Sequence, residues 1–268
     1  TGSATVNGSV FGGSESGYVY HNTDIKILAG TIKGSAFGGG RGLESFAEAG
    51  RVRGNTKLTV SGGAVESNVY GGGNLGDVGT IDKSDPDYNY EWKNSEANGN
   101  ILTPFLDNTA HNNKITGNNT NTGICEVIIS GGRIGVDGNS TESHASGHVF
   151  GAGKGSETTL WCEKAIAYAT KVTVSAGTVY GNVYGGGQVG RVEDDAKVVI
   201  GVENATGSTA APTISGSVFG AGAGLHTHGY SALVRGNSDV TVQGTAQIGG
   251  SVYGGGEIAS VGKYNIVS

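Results

Sequence analysis

Val183-Tyr184-Gly185-Gly186-Gly187 is one of seven copies of a short phrase: an aliphatic residue, then Phe or Tyr, then a glycine run. The others are Val10-Phe11-Gly12-Gly13, Ala36-Phe37-Gly38-Gly39-Gly40, Val69-Tyr70-Gly71-Gly72-Gly73, Val149-Phe150-Gly151-Ala152-Gly153, Val218-Phe219-Gly220-Ala221-Gly222 and Val252-Tyr253-Gly254-Gly255-Gly256. Repetition at a steady period means one small unit built over and over. The aromatic anchors are spaced by 26, 33, 80, 34, 35 and 34 residues, so a single long gap interrupts the array.

The anchors alternate between two kinds. After Phe11, Tyr70, Tyr184 and Tyr253 the chain runs on to Gly17-Tyr18-Val19, Gly76-Asp77-Val78, Gly190-Arg191-Val192 and Ala259-Ser260-Val261. After Phe37, Phe150 and Phe219 it reads Gly40-Arg41-Gly42, Gly153-Lys154-Gly155 and Gly222-Ala223-Gly224. The unit is therefore a pair of about 69 residues. Val52-Arg53-Gly54-Asn55 recurs as Val234-Arg235-Gly236-Asn237 at an offset of 182, the offset that also separates Phe37 from Phe219. An alternating segment occupies one slot of each repeat: Lys57 to Ser61, Glu126 to Ser130, Lys171 to Ser175 and Asp239 to Gln243.

Apolar residues alternate with Thr, Ser, Lys and Asp over short runs and then stop at Gly, which is the pattern of strands and turns. Glycine supplies 52 of 268 residues and proline only three, without a collagen triplet. Helical periodicity is nearly absent; residues 163–169 alone have room for a turn or two. In one repeat, strands are expected at Lys171 to Ser175, Val179 to Tyr184, Val189 to Val192 and Ala196 to Ile200. Corners fall at Ala176-Gly177 and at the glycine triplet, where Gly supplies positive φ without steric cost. The expected fold is all-β: a parallel β-solenoid of about seven coils, with residues 79–123 as one long loop insertion. A hairpin-based sandwich would need two-residue Asn-Gly or Asp-Gly turns at the repeat period. Asn7-Gly8 and Asp137-Gly138 do not recur at it.

Residues 1–268 read as a single repeat domain whose ends cut into the repeat, with no polar cap and no Met, as in a slice of a longer array. The net charge of −6 and the lack of a basic stripe argue against nucleic acid as a partner. No apolar run is long enough to span a membrane as a helix.

The run Thr173-Val174-Ser175-Ala176-Gly177-Thr178-Val179-Tyr180-Gly181-Asn182-Val183-Tyr184-Gly185-Gly186-Gly187-Gln188-Val189-Gly190-Arg191-Val192 resembles the glycine-rich repeats of large adhesin-like surface proteins of gut Bacteroidetes. The resemblance covers nearly all of the chain outside residues 79–123. It implies a secreted or cell-surface repeat protein with a β-solenoid stalk or adhesive role. It supplies no catalytic residues.

The candidate sites are few. The anchors Phe11, Phe37, Tyr70, Phe150, Tyr184, Phe219 and Tyr253 are expected to be structural. Facing water they would make a sugar-stacking stripe; facing inward they are core. Four of the seven are Phe, which favours packing. The insertion carries Asp82, Asp85, Asp87, Tyr88, Tyr90 and Trp92, residue types that suit sugar or Ca²⁺, although no EF-hand spacing is present. No cofactor is otherwise expected. His144 with His148, and His226 with His228, form pairs that lack an obvious third ligand, so no metal site is assigned. Cys125 occupies the slot of Thr170, and Cys125 and Cys162 can be either bonded or free. Glu193-Asp194-Asp195 reads as a solvated corner, and Gly153-Lys154-Gly155-Ser156 lacks the context of a P-loop.

These features lead to a non-enzymatic, extracellular structural or adhesive repeat domain, a stalk or fibre segment of a bacterial surface protein. Its partners would be other copies or adjacent repeats end to end, and glycans or a host surface. The alternatives are a carbohydrate-binding module and a β-helix polysaccharide-degrading enzyme.

Overall fold

The computed structural model describes residues 3–46, 48–81, 115–116, 122–138, 145–157, 164–207, 211–226 and 231–262. Among them every regular element is a β-strand and no helix forms, the described part of 163–169 included. The strands lie mainly in two sheets. The anchors Val10–Phe11, Ala36–Phe37, Val69–Tyr70, Val149–Phe150, Val183–Tyr184, Val218–Phe219 and Val252–Tyr253 form one seven-stranded sheet in strict chain order. An eleven-stranded sheet holds the longer strands Thr23–Ile27, Thr56–Val60, Ile124–Ile134, Ala169–Val179, Ala196–Ile200 and Ser238–Val242, with short companions. Pairing within both sheets is parallel throughout. Parallel neighbours need a long crossover, and here the rest of each repeat supplies it. A separate antiparallel pair, Thr80–Ile81 with Ile115–Thr116, stands at the root of the insertion. Single parallel bridges align Val19, Val52, Val78, Ala167, Val192, Val234 and Val261 in a third ladder.

The register follows from period-two burial. In Thr56–Val60 the side chains of Thr56, Leu58 and Val60 are buried, while Lys57 and Thr59 face outward. A slip of one residue would exchange these two sets. The inward residues, with the anchor valines, build the main core; Val78, Cys125, Ala167, Val192 and Val234 belong to a second column.

The expected strand from Val179 to Tyr184 is two pieces, because Val179 ends in one sheet and Val183–Tyr184 belongs to the other. The corner between them is held by a side-chain ladder at the residue before each anchor pair. Ser9 Oγ accepts from the Ser35 N–H (3.0 Å), Ser35 Oγ from Asn68 (3.3 Å), and Asn68 Oδ1 from His148 (2.8 Å). His148 Nδ1 then accepts from Asn182 (2.8 Å), Asn182 Oδ1 from Ser217 (2.8 Å), and Ser217 Oγ from Ser251 (3.0 Å). A corner N–H that the sheets leave unpaired thus finds a partner in the neighbouring repeat.

The glycine triplets act differently from expectation. Positive φ occurs at the other corner, as in Gly63 (72°) and Gly177 (88°), and not in Gly71, Gly72 or Gly73. The triplets are glycine because successive repeats touch there: a Cβ on Gly71 would overlap the carbonyl oxygen of Gly151. The same carbonyls are braced from across the repeat. Thr23, Thr56 and Thr170 donate Oγ1 hydrogens to the carbonyls of Gly38, Gly71 and Gly185, each at 2.6 Å.

The alternation of two repeat kinds has a backbone cause. Five residues past the anchor, Ser16, Leu75, Val189 and Ile258 adopt positive φ (52–63°), and the third ladder follows three residues later. A β-branched residue in that region is uncommon and marks a tight turn. Gly42, Gly155 and Gly224 occupy the same place in the other kind without positive φ. A longer loop, of ten or twelve residues, then leads to Val52, Ala167 and Val234.

Candidate functional site

The seven anchor rings stack face to face along the whole array, with centroids 4.6–5.0 Å apart and ring planes within 10°. Val and its aromatic neighbour point to opposite faces of the two-residue strand. Ala36, Val69, Val149, Val183 and Val218 enter the main core, and the rings of Phe37, Tyr70, Phe150, Tyr184 and Phe219 form a buried column of their own. Only Tyr253, 49% exposed, presents much of its ring. The column is therefore packing along its length rather than a sugar-stacking stripe. Asn68 Nδ2 donates to the Tyr70 hydroxyl (3.0 Å), and Asn182 Nδ2 to that of Tyr184 (2.8 Å). Burial pushes the Tyr70 phenol above its ordinary pKa.

A buried ionic cluster centres on Asp77. Asp77 Oδ2 pairs with Arg51 Nη2 (3.1 Å), and its Oδ1 accepts from the Ile166 N–H (2.9 Å). Arg51 also reaches Glu48 (3.4 Å). Lys164 Nζ donates to the carbonyls of Leu43 (2.9 Å) and Phe46 (3.1 Å), tying one long loop to another. Burial raises the Asp77 carboxyl against the opposing pull of Arg51. A second buried cluster holds Glu193 between Arg191 (2.5 Å) and Arg235 (2.7 Å). Glu193 is therefore not part of a solvated corner: two guanidiniums replace the water it would otherwise require. Asp195, two residues on, is exposed.

An open groove of about 420 Å³ lies on the outer face of the longer strands. It is lined by Asn22, Asp24, Asn55, Lys57, Ile124, Glu126 and Lys171, with Thr23 and Thr56 behind them. Strand register produces it. Residues in register on successive strands pair as Asp24 with Lys57, Lys57 with Glu126, and Glu126 with Lys171. The Glu126 carboxylate sits between Lys57 Nζ (3.0 Å) and Lys171 Nζ (3.5 Å), and Asp24 pairs with Lys26 (3.0 Å). Asn22 and Asn55 use their Oδ1 atoms to accept from the N–H groups of Asn55 (2.8 Å) and Ile124 (2.9 Å), which fixes the rim. Chemically this is a stiff row of alternating hydrogen-bond acceptors and donors.

Asp82, Asp85, Asp87, Tyr88, Tyr90 and Trp92 lie outside the described residues, as do Cys162, His144 and His228. Cys125 is a free, buried thiol facing Thr56 and Thr170 in neighbouring strands, as the slot assignment requires. Burial pushes its pKa up to about 12. His148 is buried and serves the corner ladder as an acceptor. Among the described residues no group of three or more His, Cys, Asp and Glu is placed to hold a metal ion. No helix among them is long and apolar enough to cross a membrane.

The groove was open to sequence reasoning in part. Lys57, Glu126, Lys171 and Asp239 begin the aligned alternating segments, so a column of opposite charge was implicit in the register. Asn22, Asp24 and Asn55 were not, because Thr23–Ile27 joins the same register outside the aligned segments and the two asparagines act through the turns just before their strands. No protein family, curated protein or solved structure matches this chain.

Proposed function

We propose that the chain is a β-solenoid of about seven coils serving as a structural or adhesive segment of an extracellular bacterial surface protein. The observation that carries this reading is the unbroken parallel register from Val10–Phe11 to Val252–Tyr253. Three further columns support it: the stacked rings, the side-chain ladder from Ser9 to Ser251, and the valine bridges from Val19 to Val261. Stability in such a stack is a sum over nearest neighbours, and the stack tolerates extension. That suits a spacer, and the resemblance to adhesin-like repeats points the same way. Other copies or adjacent repeats, docked end to end, are the partners this reading implies.

Electron microscopy of the purified chain over a range of concentrations tests the proposal. Rods or fibres that lengthen with concentration are expected; a strictly monomeric globule under all conditions overturns the assembly part. Surface labelling of intact cells tests the location, and labelling only after lysis overturns it.

A further inference from the structure

We infer that the groove formed by Asp24, Lys57, Glu126 and Lys171 binds a neutral, polyhydroxylated ligand, an uncharged oligosaccharide laid across the strands. This adds a ligand to the structural reading and does not depend on end-to-end assembly.

The chemistry of the row selects the ligand class. Asp24 and Glu126 are acceptors, Lys57 and Lys171 are donors, and the register makes them alternate. Parallel strands lie about 4.8 Å apart, so the four residues span roughly 14 Å. Two carboxylates and two ammoniums cancel within the groove. A polyanion would meet Asp24 and Glu126, and a polycation would meet Lys57 and Lys171, each a like-charge contact. Hydroxyl groups both donate and accept, so a sugar can bond to carboxylates and ammoniums alike, using the hydrogen-bonding capacity left beside their ion pairs. Ile124 adds an apolar patch for a ring face, and Asn22 and Asn55 set the rim.

Size and stiffness agree. The volume of about 420 Å³ falls within the range of small-molecule sites. Thr23 and Thr56, behind the row, are pinned to the carbonyls of Gly38 and Gly71. The strands that carry the row are fixed by their ladders, so little ordering is needed on binding. Beyond Lys171 the alternation fails, because Lys197 is its neighbour in register. The groove ends where the alternation does, and Lys197 turns to Asp239 (3.8 Å).

Affinity electrophoresis of the whole chain tests the inference, with dextran, laminarin, mannan, xylan and galactan as neutral probes and polygalacturonate and dextran sulfate as acidic ones. Retardation by at least one neutral polymer is expected, with little response to salt. Glu126→Ala and Lys171→Ala should each weaken it about tenfold, the loss expected for one hydrogen bond to a charged group. Lys197→Ala should leave it unchanged. Glu126→Gln and Lys171→Gln, read beside their unfolding midpoints, separate lost binding from lost folding. Three outcomes overturn the inference: no retardation by any neutral polymer, retardation by the acidic polymers alone, or retardation that survives both groove substitutions. Rod formation in the microscope is unaffected by any of them, so the structural reading stands or falls separately.

Discussion

The Tyr70 hydroxyl donates to Gln188 Oε1 at 2.5 Å across 118 residues of chain. The bond passes over the repeat of Phe150 and lands on the residue that follows the next glycine triplet. Tyr184 repeats the device by donating to Glu257 Oε2 at 2.5 Å. In both cases the acceptor follows the glycine triplet two repeats on from the tyrosine. Tyr70→Phe keeps the ring stack and removes the donor, so a cost of about 1–2 kcal/mol is expected. A double-mutant cycle with Gln188→Leu, read by denaturant unfolding, should show coupling. Simple additivity would refute a direct bond of any weight.

The same pair shows what the sequence could and could not disclose. The alternating strands, their parallel stacking and the two repeat kinds were legible, because each rests on a period: Lys57, Glu126 and Lys171 align by counting, and they pair in the structure. The expected strands Val179 to Tyr184 and Val189 to Val192 did not form whole, because a corner divides the first and the positive φ of Val189 reduces the second to single bridges. The sidedness of Tyr184 was not. Alternation says that Val183 and Tyr184 face opposite ways, but not that the outer side would also be enclosed. That enclosure comes from stacking on Phe150 and Phe219 and from contacts such as Asn182 to Tyr184. The role of the triplet glycines was misjudged for a related reason. Positive φ is a local property, whereas the approach of Gly71 to Gly151 depends on a repeat 80 residues away.

His148 stands in the corner ladder between two asparagines and accepts the Asn182 N–H through Nδ1. An Asn side chain performs the same task at 68 and 182. His148→Asn should therefore stay within about 1 kcal/mol of the parent, whereas His148→Leu, which strands a buried N–H, should lose about 1–3 kcal/mol. Thermal unfolding of the two variants checks this. Equal losses would show that ring volume, not the acceptor, is what the position requires.

Cys125 makes the protein sensitive to alkali. Its thiol remains protonated in the folded chain up to about 12, because it is buried. In the unfolded chain a thiol ionises near 8.5. Above that pH the unfolded state holds fewer protons, so the contribution is complete below about 8.5 and declines as pH rises, by about 1.4 kcal/mol per unit. Tyr70, shifted the same way by burial, adds its own decline from about pH 10. Cys125→Thr should remove the first part of the slope and supply the hydroxyl that Thr56 and Thr170 use in neighbouring repeats. Denaturation midpoints between neutral pH and pH 11 measure it, and identical slopes in parent and variant would contradict the assignment.

Asp77 anchors two loops through one carboxylate. Asp77→Ala removes the partner of a guanidinium whose side chain is 6% exposed and the acceptor of the Ile166 N–H. Breaking a buried pair from one side costs about 3–5 kcal/mol. Because Arg51 closes the loop that carries Leu43 and Phe46, the variant should also be nicked by protease in that loop while the sheets persist. Loss of stability without new cleavage would mean that the cluster supports the stack and not the loop.

Glycines of this chain should divide into three classes when changed to alanine. At Gly71 the new Cβ meets the Gly151 carbonyl oxygen, a backbone atom directly after the paired strands Val69–Tyr70 and Val149–Phe150, whose register limits how far either can move. The penalty should be at least the 1–3 kcal/mol typical of overpacking. At Gly63 the cost has two sources, since φ is +72° and the Cβ would crowd the carbonyl of Gly30 at 2.5 Å. At Gly8 nothing lies within 4 Å and no positive φ is required, so the change should stay within about 0.5 kcal/mol. Unfolding midpoints for the three variants test the ordering. If Gly71→Ala were as mild as Gly8→Ala, repeats could not be in contact at the triplets, and the parallel register through Tyr70 and Phe150 would have to be abandoned.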